Sequence, residues 1–234
     1  MNASTHKPIA VSLAAFAEAL EFDAIPEQIR MRAKLLILDA VGIALASTRY
    51  EFAHRTLSAA RELGEGTSDV IGFSAKLGLR DAILLNGVLV HGLDFDDTHG
   101  RGVIHATASC FPAALGIAAK YNASGRDFLT AYVLGMEVAT RLGSVAKGGF
   151  HQVGFHPTGL VGTFGCALIA GKLQGQTAEQ LAMAQGVALS TASGSLEFLE
   201  DGTWTKRMHP GWAGVAGLTA ATLARHGFSG PKAV

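Results

Sequence analysis

The sequence predicts an all-α protein, and three observations support this fold class. Apolar residues recur at three- and four-residue steps along nearly every segment, which is the spacing of one helix face. Two hydroxyl residues stand three positions before a side chain that can complete a helix capping box. Only SDVIGFS, at 68–74, has the bounded, β-branched composition of a strand, as a hairpin or an extended loop. A length of 234 residues therefore predicts one domain of roughly eight to ten helices.

The first long helix is predicted in PEQIRMRAKLLILDAVGIALAS, with Pro26 in its first turn. Its apolar run LLILDAVGIALA, at 35–46, contains Asp39 and falls short of the ~20 residues that cross a bilayer. We interpret this run as a buried helix and expect no membrane-spanning segment. The expected buried face consists of Ile29, Ala33, Leu36, Ala40 and Ile43.

Later helices are marked by their ends. Ser124 with Asp127, and Thr177 with Gln180, each form a possible capping box ahead of an apolar run. Gly175 follows GKLQ at a position where glycine commonly ends a helix, and the glycine after ATLARH is placed in the same way. These signals mark one end of each of four predicted helices.

Glycine is unusually frequent in two apolar segments. In GWAGVAGLTAATLA the glycines at 211, 214 and 217 keep one helix face thin. A thin face lets a second backbone approach closely, despite a propensity cost of about 1 kcal/mol for each glycine. GLVGTFG, at 159–165, is expected to do the same. Because neither segment follows a predicted strand, neither is interpreted as a dinucleotide or phosphate loop.

Charge and cysteine usage exclude several function classes. The 19 basic and 19 acidic residues cancel, and no basic stripe is present, so a nucleic-acid partner is not expected. The segment MNASTHKPIA has no charged stretch leading into an apolar one, so a secretory signal is not expected. Cys110 and Cys166 lie among small apolar residues without metal-type spacing, as for reduced, buried thiols in a cytoplasmic protein.

The segment HGLDFDDTHGRGVIHATAS, at 91–109, has three carboxylates and three imidazoles within fifteen residues. A polar loop whose Asp and Thr side chains cap backbone groups is the commonest explanation for such a segment. A metal site would need the ligands to converge, and neither an HExxH nor an EF-hand pattern is present. An acid–base site would need imidazoles in a cleft, for which His105, His151 and His156 are candidates.

Two further segments carry groups that can bind anions. In GFHPTG, Pro157 suits the first turn of a helix, which places His156 at the helix N-terminus as an anion-binding or a neutral capping group. In TKRMHPGW, Lys206, Arg207 and His209 stand just before the glycine-rich helix, as an anion pocket or as solvated charges. Together the three segments suggest a polycarboxylate held beside a general acid or base.

The chain resembles the MmgE/PrpD family over essentially its whole length. Several motifs in the same order carry this resemblance: NGVLVHGLDFDDTH, SGRDFLTAYVLGMEVATRL, GFHPTGLVGTFGCALIAGKL, ALSTASGSLEF, GTWTKRMHPGWAG and ARHGFSGP. Members of the family include 2-methylcitrate dehydratase, cis-aconitate decarboxylase and iminodisuccinate epimerase.

The resemblance implies a large helical domain, a smaller α/β domain that follows it, a homodimer, and an active site in the cleft between the domains. It implies chemistry without a redox cofactor or a required metal, so we expect neither. Because the chain stops at GFSGPKAV, we expect residues 1–234 to be the helical domain, with the α/β domain missing from this chain. The family motifs place the site at Asp94, Thr98, His105, His156 and Lys206.

The leading hypothesis is a hydro-lyase of the 2-methylcitrate dehydratase type that acts on a small di- or tricarboxylate. His105 or His156 would move a proton at the carbon next to a carboxylate, and Lys206 would stabilise the charge that develops. Three residues would bind substrate: Asp94, Thr98 and Arg207. Decarboxylation and epimerisation share a carbanion-like intermediate and stay open. The alternatives from other classes are a non-catalytic helical dimerisation module and a metal-dependent hydrolase built on the Asp/His cluster.

Overall fold

The computed structural model describes residues 7–233. Most of the amino-terminal segment considered for a secretory signal therefore lies outside the described residues. Within the described range the chain forms nine helices of eleven or more residues, two single-turn helices, one 3₁₀ turn and two strands. The predicted all-α fold class is confirmed. In chain order, the helices and strands are α1 (Ile9–Ala19), a 3₁₀ turn (Phe22–Ala24), α2 (Glu27–Ser47), α3 (Glu51–Leu63), β1 (Ser68–Val70), β2 (Phe73–Leu77), α4 (Leu79–His91), α5 (Ala106–Lys120), α6 (Gly125–Val145), α7 (Gly149–Gln152), α8 (Pro157–Leu173), α9 (Ala178–Thr191), α10 (Phe198–Asp201) and α11 (Thr205–Arg225).

The predicted strand segment is a hairpin. Strands β1 and β2 pair antiparallel, and Gly72 in the turn between them has a φ of +74°, which glycine adopts without a steric penalty. The hairpin is fastened to α4 by Asn86, whose side chain accepts from the Ile71 N–H at 2.9 Å and donates to the Asp69 carbonyl at 3.1 Å. These two hydrogen bonds hold the hairpin against α4.

Helices α8 and α11 form the centre of the fold, and α11 packs against α4, α8 and α9. The predicted thin faces account for this packing. A Cβ on Gly211 would meet the backbone carbonyl of Leu84 in α4, and one on Gly217 would lie 2.6 Å from the Ala167 nitrogen in α8. Glycine in α8 serves the same purpose, because a Cβ on Gly165 would lie 2.8 Å from the Gly135 carbonyl oxygen in α6.

Both predicted capping boxes are present. The Ser124 hydroxyl accepts from the Asp127 N–H at 3.2 Å while the Asp127 carboxylate accepts from the Ser124 N–H at 3.2 Å. At the start of α9, Thr177 and Gln180 make the equivalent reciprocal bonds at 3.4 and 3.1 Å. Gly175 follows α8 with a φ of +68°, as expected of a helix-ending glycine.

Two details of the sequence prediction need correction. Helix α11 begins at Thr205, so Lys206, Arg207 and His209 lie within its first two turns and not before it. Pro210 lies inside this helix, where it forfeits one intrahelical N–H bond. Likewise Pro26 is the N-cap of α2 and not a residue of its first turn.

Helix α2 is buried on one face only. Ala33, Ala40 and Ile43 are buried as predicted, whereas Ile29 is 43% exposed. The opposite face exposes several large apolar side chains, namely Met31, Leu35, Leu38 and Leu45. None of the helices within residues 7–233 combines the length and apolar character needed to cross a membrane.

Candidate active site

Four histidines from separate segments meet at one end of the helical core. His91 ends α4, His105 and His156 are the N-caps of α5 and α8, and His209 lies in the second turn of α11. The ring centroids of His91 and His105 are 4.9 Å apart, those of His91 and His156 are 5.7 Å apart, and those of His156 and His209 are 5.3 Å apart. The three sequence segments predicted to carry the chemistry are therefore neighbours in space. His151 lies in α7 and makes none of the ring contacts found among the described residues of this cluster.

A cavity of about 540 Å³ opens beside the histidines. The end of α4 and the start of α11 form one wall, and α10 and the start of α3 form much of the rest. This size suits a small organic acid better than a macromolecule. The residues of its wall that matter chemically are His91, Asp94, Trp204, Lys206 and Arg207.

Asp94 and Lys206 form an ion pair on this wall. The Lys206 ammonium donates to both Asp94 carboxylate oxygens, at 2.6 and 2.7 Å. Partial burial would raise the pKa of Asp94, but the Lys206 hydrogen bond and charge outweigh it, with smaller contributions from His91 and His105, so the pKa is lowered overall. Asp94 is thus an ionised carboxylate next to a fixed cation.

His105 lies directly behind this ion pair. Its Nε2 is 3.9 Å from the Asp94 Oδ1, and its Nδ1 is 3.4 Å from the Thr98 hydroxyl. The His105 backbone N–H donates to the Thr158 hydroxyl of α8 at 3.1 Å, which fastens the start of α5 to that helix. The imidazole is partly exposed, as a residue that exchanges protons with a ligand needs to be.

Arg207 is fixed by two contacts. Its Nε–H donates to the Gly92 carbonyl at 2.9 Å, and its guanidinium lies over the Phe52 ring at 5.0 Å from the ring centre. The side chain lines the cavity beside Lys206. Two cations of neighbouring sequence positions therefore face the same space.

His156 and His209 form a buried pair. Their Nδ1 atoms are 3.1 Å apart, so one ring must donate an N–H and the other must accept it. Burial, with smaller contributions from the nearby His91, His209, Lys206 and His105, lowers the pKa of His156 to about 2. Burial, together with His91, lowers the pKa of His209 to about 4. Both rings are neutral at physiological pH.

The neighbouring Asp97 has a different environment. It accepts from the Thr107 N–H at 3.1 Å, and the Thr107 hydroxyl is 2.7 Å from the hydroxyl of the buried Tyr132. Burial raises the pKa of Asp97, and the charge of Asp96 adds to this effect. This carboxyl group anchors the loop to the start of α5.

The six site residues predicted from the sequence lie at three depths. Asp94, Lys206 and Arg207 line the cavity. His105 and the exposed Thr98 stand next to that wall, whereas His156 is buried under it with only 4% of its surface exposed. The N-terminus of α8, which the sequence suggested as an anion-binding group, does not line the cavity, whereas the first turn of α11 does.

The predicted set omits one buried pair, His91 and Asp96. The His91 Nδ1 is 2.8 Å from the Asp96 Oδ2, and both side chains are at most 1% exposed. Their separation of five positions spans the end of α4, so no helical or strand spacing pairs them in the sequence. The only sequence signal for them is their presence in the segment dense in titratable groups.

The same region contains possible metal ligands. Atoms of His91, Asp94, Asp96 and His105 all lie within 4.8 Å of one another. Imidazole nitrogens and carboxylate oxygens suit zinc and similar divalent ions. However, a cation bound by all four would have to replace the Lys206 ammonium at Asp94. The arrangement fits an acid–base site more closely than a preformed ligand shell.

Comparison with known proteins gives a consistent result. The family model described as the MmgE/PrpD N-terminal domain matches residues 11–234. The cis-aconitate decarboxylase-like protein oryM of Aspergillus oryzae is 31% identical over 90% of this chain and 45% of its own length. Cis-aconitate decarboxylase of Aspergillus terreus is 29% identical over 94% of this chain and 46% of its own. The human cis-aconitate decarboxylase is 31% identical over 97% of this chain and 48% of its own. The chain spans about half the length of the curated relatives it matches.

Proposed function

Because the chain belongs to the MmgE/PrpD family, we propose that it carries the carboxylate-binding and proton-transfer groups of a lyase for small di- or tricarboxylates. One observation supports this proposal above the others: Lys206 and His105 meet at Asp94 on the wall of a cavity of about 540 Å³. A fixed cation, an ionised carboxylate and a partly exposed imidazole are what proton transfer next to a carboxylate requires.

Binding depends on the two cations at the start of α11. Lys206 and Arg207 face the cavity, and charge-assisted hydrogen bonds from such groups to a carboxylate are about twice as strong as neutral ones. Arg207 is already held by Gly92 and Phe52, so little side-chain entropy is lost when it binds. Asp94, held by Lys206, accepts from a substrate hydroxyl, and Thr98 donates a hydrogen bond.

Proton transfer falls to the partly exposed imidazole in this proposal. His105 in its neutral form takes a proton from the carbon next to a substrate carboxylate, and the Lys206 ammonium stabilises the negative charge that moves onto that carboxylate. In dehydration, the protonated His105 then returns a proton to the departing hydroxyl as water forms. The buried His156 supports this step as a neutral neighbour, with its ring stacked on that of His91.

The reaction type within the family is a finer question. Dehydration and epimerisation start from removal of a proton, and decarboxylation leaves a similar carbanion that takes one up. The sequence alone favoured a 2-methylcitrate dehydratase. Because the compared relatives are called cis-aconitate decarboxylases, cis-aconitate is the first substrate to test, and 2-methylcitrate the second.

We also propose a homodimer. Exposed apolar surface on one face of a long helix is typical of protein interfaces, and α2 exposes 51% of Leu35 and 68% of Leu38. A second copy of this chain is the simplest partner for that face.

Turnover of the purified chain tests the proposed function. The assay presents cis-aconitate, 2-methylcitrate and citrate separately, with and without EDTA, to a preparation whose mass by light scattering is that of a dimer. We expect one carboxylate to be converted, no effect of EDTA, and loss of conversion in His156→Ala. Conversion that EDTA abolishes and zinc restores would instead support the metal-dependent alternative, for which the proximity of four ligand-type residues is the supporting observation.

The negative outcome is equally informative. A folded dimer that converts none of the three acids contradicts the proposal that this chain is an enzyme by itself. That result favours the alternative of a non-catalytic helical module, which predicts that the polar cluster stays intact and binds carboxylates weakly.

A further inference from the structure

Two buried polar atoms of the site lack a hydrogen-bond partner. Within residues 7–233 these atoms are the His91 Nε2 and the Asp96 Oδ1. A buried polar group without a partner costs about 1–3 kcal/mol, so a well-packed protein keeps one only for a reason. Both atoms belong to the same hydrogen-bonded pair.

The Asp96 carboxylate stands between two imidazoles. Its Oδ2 accepts from the His91 Nδ1–H at 2.8 Å, and its Oδ1 is 3.7 Å from the His105 Nδ1. The second distance is a few tenths of an ångström too long for a hydrogen bond, and a small rotation of the His105 ring closes it. Hydrogen bonds of catalytic groups are often long before substrate binds and shorten afterwards.

The other neighbour of the same nitrogen is Thr98. Its hydroxyl is 3.4 Å from the His105 Nδ1, at the outer limit of a hydrogen bond. A hydroxyl can either donate or accept, so Thr98 is compatible with both tautomers of His105. An ionised carboxylate can only accept a hydrogen bond, so Asp96 is compatible only with the tautomer of His105 that carries a proton on Nδ1.

We propose that Asp96, held by His91, is a positioning residue that fixes His105 in its Nδ1–H tautomer and points its Nε2 lone pair at the cavity wall. This inference rests on the proposed function for its catalytic meaning. The His91–Asp96 bond locks the carboxylate, and the carboxylate then orients the imidazole, which is the arrangement in which a third group orients a general base. Asp96 itself touches no substrate.

The tautomer of His105 provides the test, and it can be measured without turnover. Two-bond ¹H–¹⁵N correlation spectra of the ¹⁵N-labelled chain at mildly alkaline pH distinguish protonated from unprotonated ring nitrogens. The His105 signals are assigned by their disappearance in His105→Gln. We expect a protonated Nδ1 on His105 in the unmodified chain. An Nε2–H tautomer there overturns the inference, even if every variant of Asp96 fails to fold.

Asp96→Asn provides the second arm of the test. An amide offers one acceptor and one donor, so it cannot accept from both rings, and we expect His105 to change to the Nε2–H tautomer. Thr98→Val, which removes the nearer neighbour, is expected to leave the tautomer unchanged. Asp97→Asn is the matched control, because Asp97 is adjacent in sequence but bonds to the Thr107 backbone. If neither His105 nor His91 changes in Asp96→Asn, or if Thr98→Val has the effect expected of Asp96→Asn, the inference is wrong.

Kinetics separate this inference from the proposed function. In a chain that converts a carboxylate, Asp96→Asn should lower kcat by about 100-fold with little change in KM, because it disturbs the proton-transfer group and leaves the two cations in place. Asp97→Asn should change neither by more than about twofold. An equal loss in both variants overturns the positioning role. A chain with the expected tautomer that converts no carboxylate contradicts the proposed function alone.

Discussion

Asp94 shows how a single residue is specified by its surroundings. Its φ of +60° lies in the left-handed region, which aspartate tolerates better than most residues but still at some cost. The bend places its carboxylate against Lys206, 112 positions later in the chain. The conformation and the ion pair together turn an exposed loop residue into part of the cavity wall.

Removal of this cation is the first prediction. In Lys206→Met we expect citrate, used as a probe, to bind at least about tenfold more weakly, because a charge-assisted hydrogen bond contributes about 1.5–3 kcal/mol. The pKa of Asp94 should rise in the same variant, because partial burial raises it and the Lys206 hydrogen bond and charge no longer lower it. Calorimetry measures the affinity, and carboxyl ¹³C shifts follow the titration.

The matched control for this variant is Lys232→Met. Lys232 also forms an exposed ion pair, with Glu179, but it lies away from the cavity. Equal citrate affinity in the Lys206 variant and the unmodified chain would refute a role for Lys206 in carboxylate binding.

At the scale of elements, glycine decides how α11 meets its neighbours. The backbones of α4 and α11 approach so closely at Gly211 that a methyl group there would meet the Leu84 carbonyl. His209 and Lys206 precede Gly211 on the same helix by two and five residues. The close packing that the glycines permit is therefore also what sets the distance between the site residues of α4 and those of α11.

Gly211→Ala should consequently destabilise the protein. Overpacking of this kind typically costs 1–3 kcal/mol, more than the roughly 1 kcal/mol that alanine gains over glycine in a helix. Gly42→Ala in α2 is the matched control, because a Cβ there meets nothing within 4 Å. Gly42→Ala should leave the free energy of unfolding unchanged or increase it. Urea unfolding followed by circular dichroism measures both, and a Gly211→Ala variant as stable as Gly42→Ala would contradict the close approach.

At the scale of the whole molecule, the buried histidines couple stability to pH. His156 and His209 have folded-state pKa values of about 2 and about 4, against 6.5 for an unperturbed histidine. Since the unfolded chain binds these protons more readily, the stability contributed by the neutral rings is complete above pH 6.5 and decreases as the pH falls below it. The site thus makes the entire fold acid-sensitive.

The expected size of this effect is about 1.4 kcal/mol per pH unit for each histidine below pH 6.5, until the folded-state pKa is reached. Urea titrations at several pH values between 7.5 and 5 measure it. His156→Gln should remove the contribution of one histidine from the slope of unfolding free energy against pH. His226→Gln, at an exposed position, should leave that slope unchanged. A slope that His156→Gln does not alter would show that this ring is protonated in the folded state.

The family resemblance and the local signals together led to the six candidate site residues, whose roles stay predictions. Capping boxes, helix-ending glycines and thin helix faces depend on residues a few positions apart, so they were predicted correctly. Asp94, Lys206 and Arg207, singled out in the sequence, do line one cavity. The starting point of α11 was mispredicted because Lys206, Arg207 and His209 interrupt the apolar pattern of the rest of the helix, so the local sequence carries no signal that the helix has already begun at Thr205.

The sequence by itself determined the all-α class, the capped helices and the segments dense in titratable groups, because these features follow from spacing along the chain. Only the tertiary structure decided which groups are paired, buried or open. The burial of His156, the pairing of Lys206 with Asp94 and the position of Asp96 between His91 and His105 depend on contacts between separate helices and loops. Such contacts are set by how the thin faces of α4, α8 and α11 pack. Packing changes the dielectric surroundings and the hydrogen-bond partners of a group, and neither can be predicted from the residues next to it in the sequence.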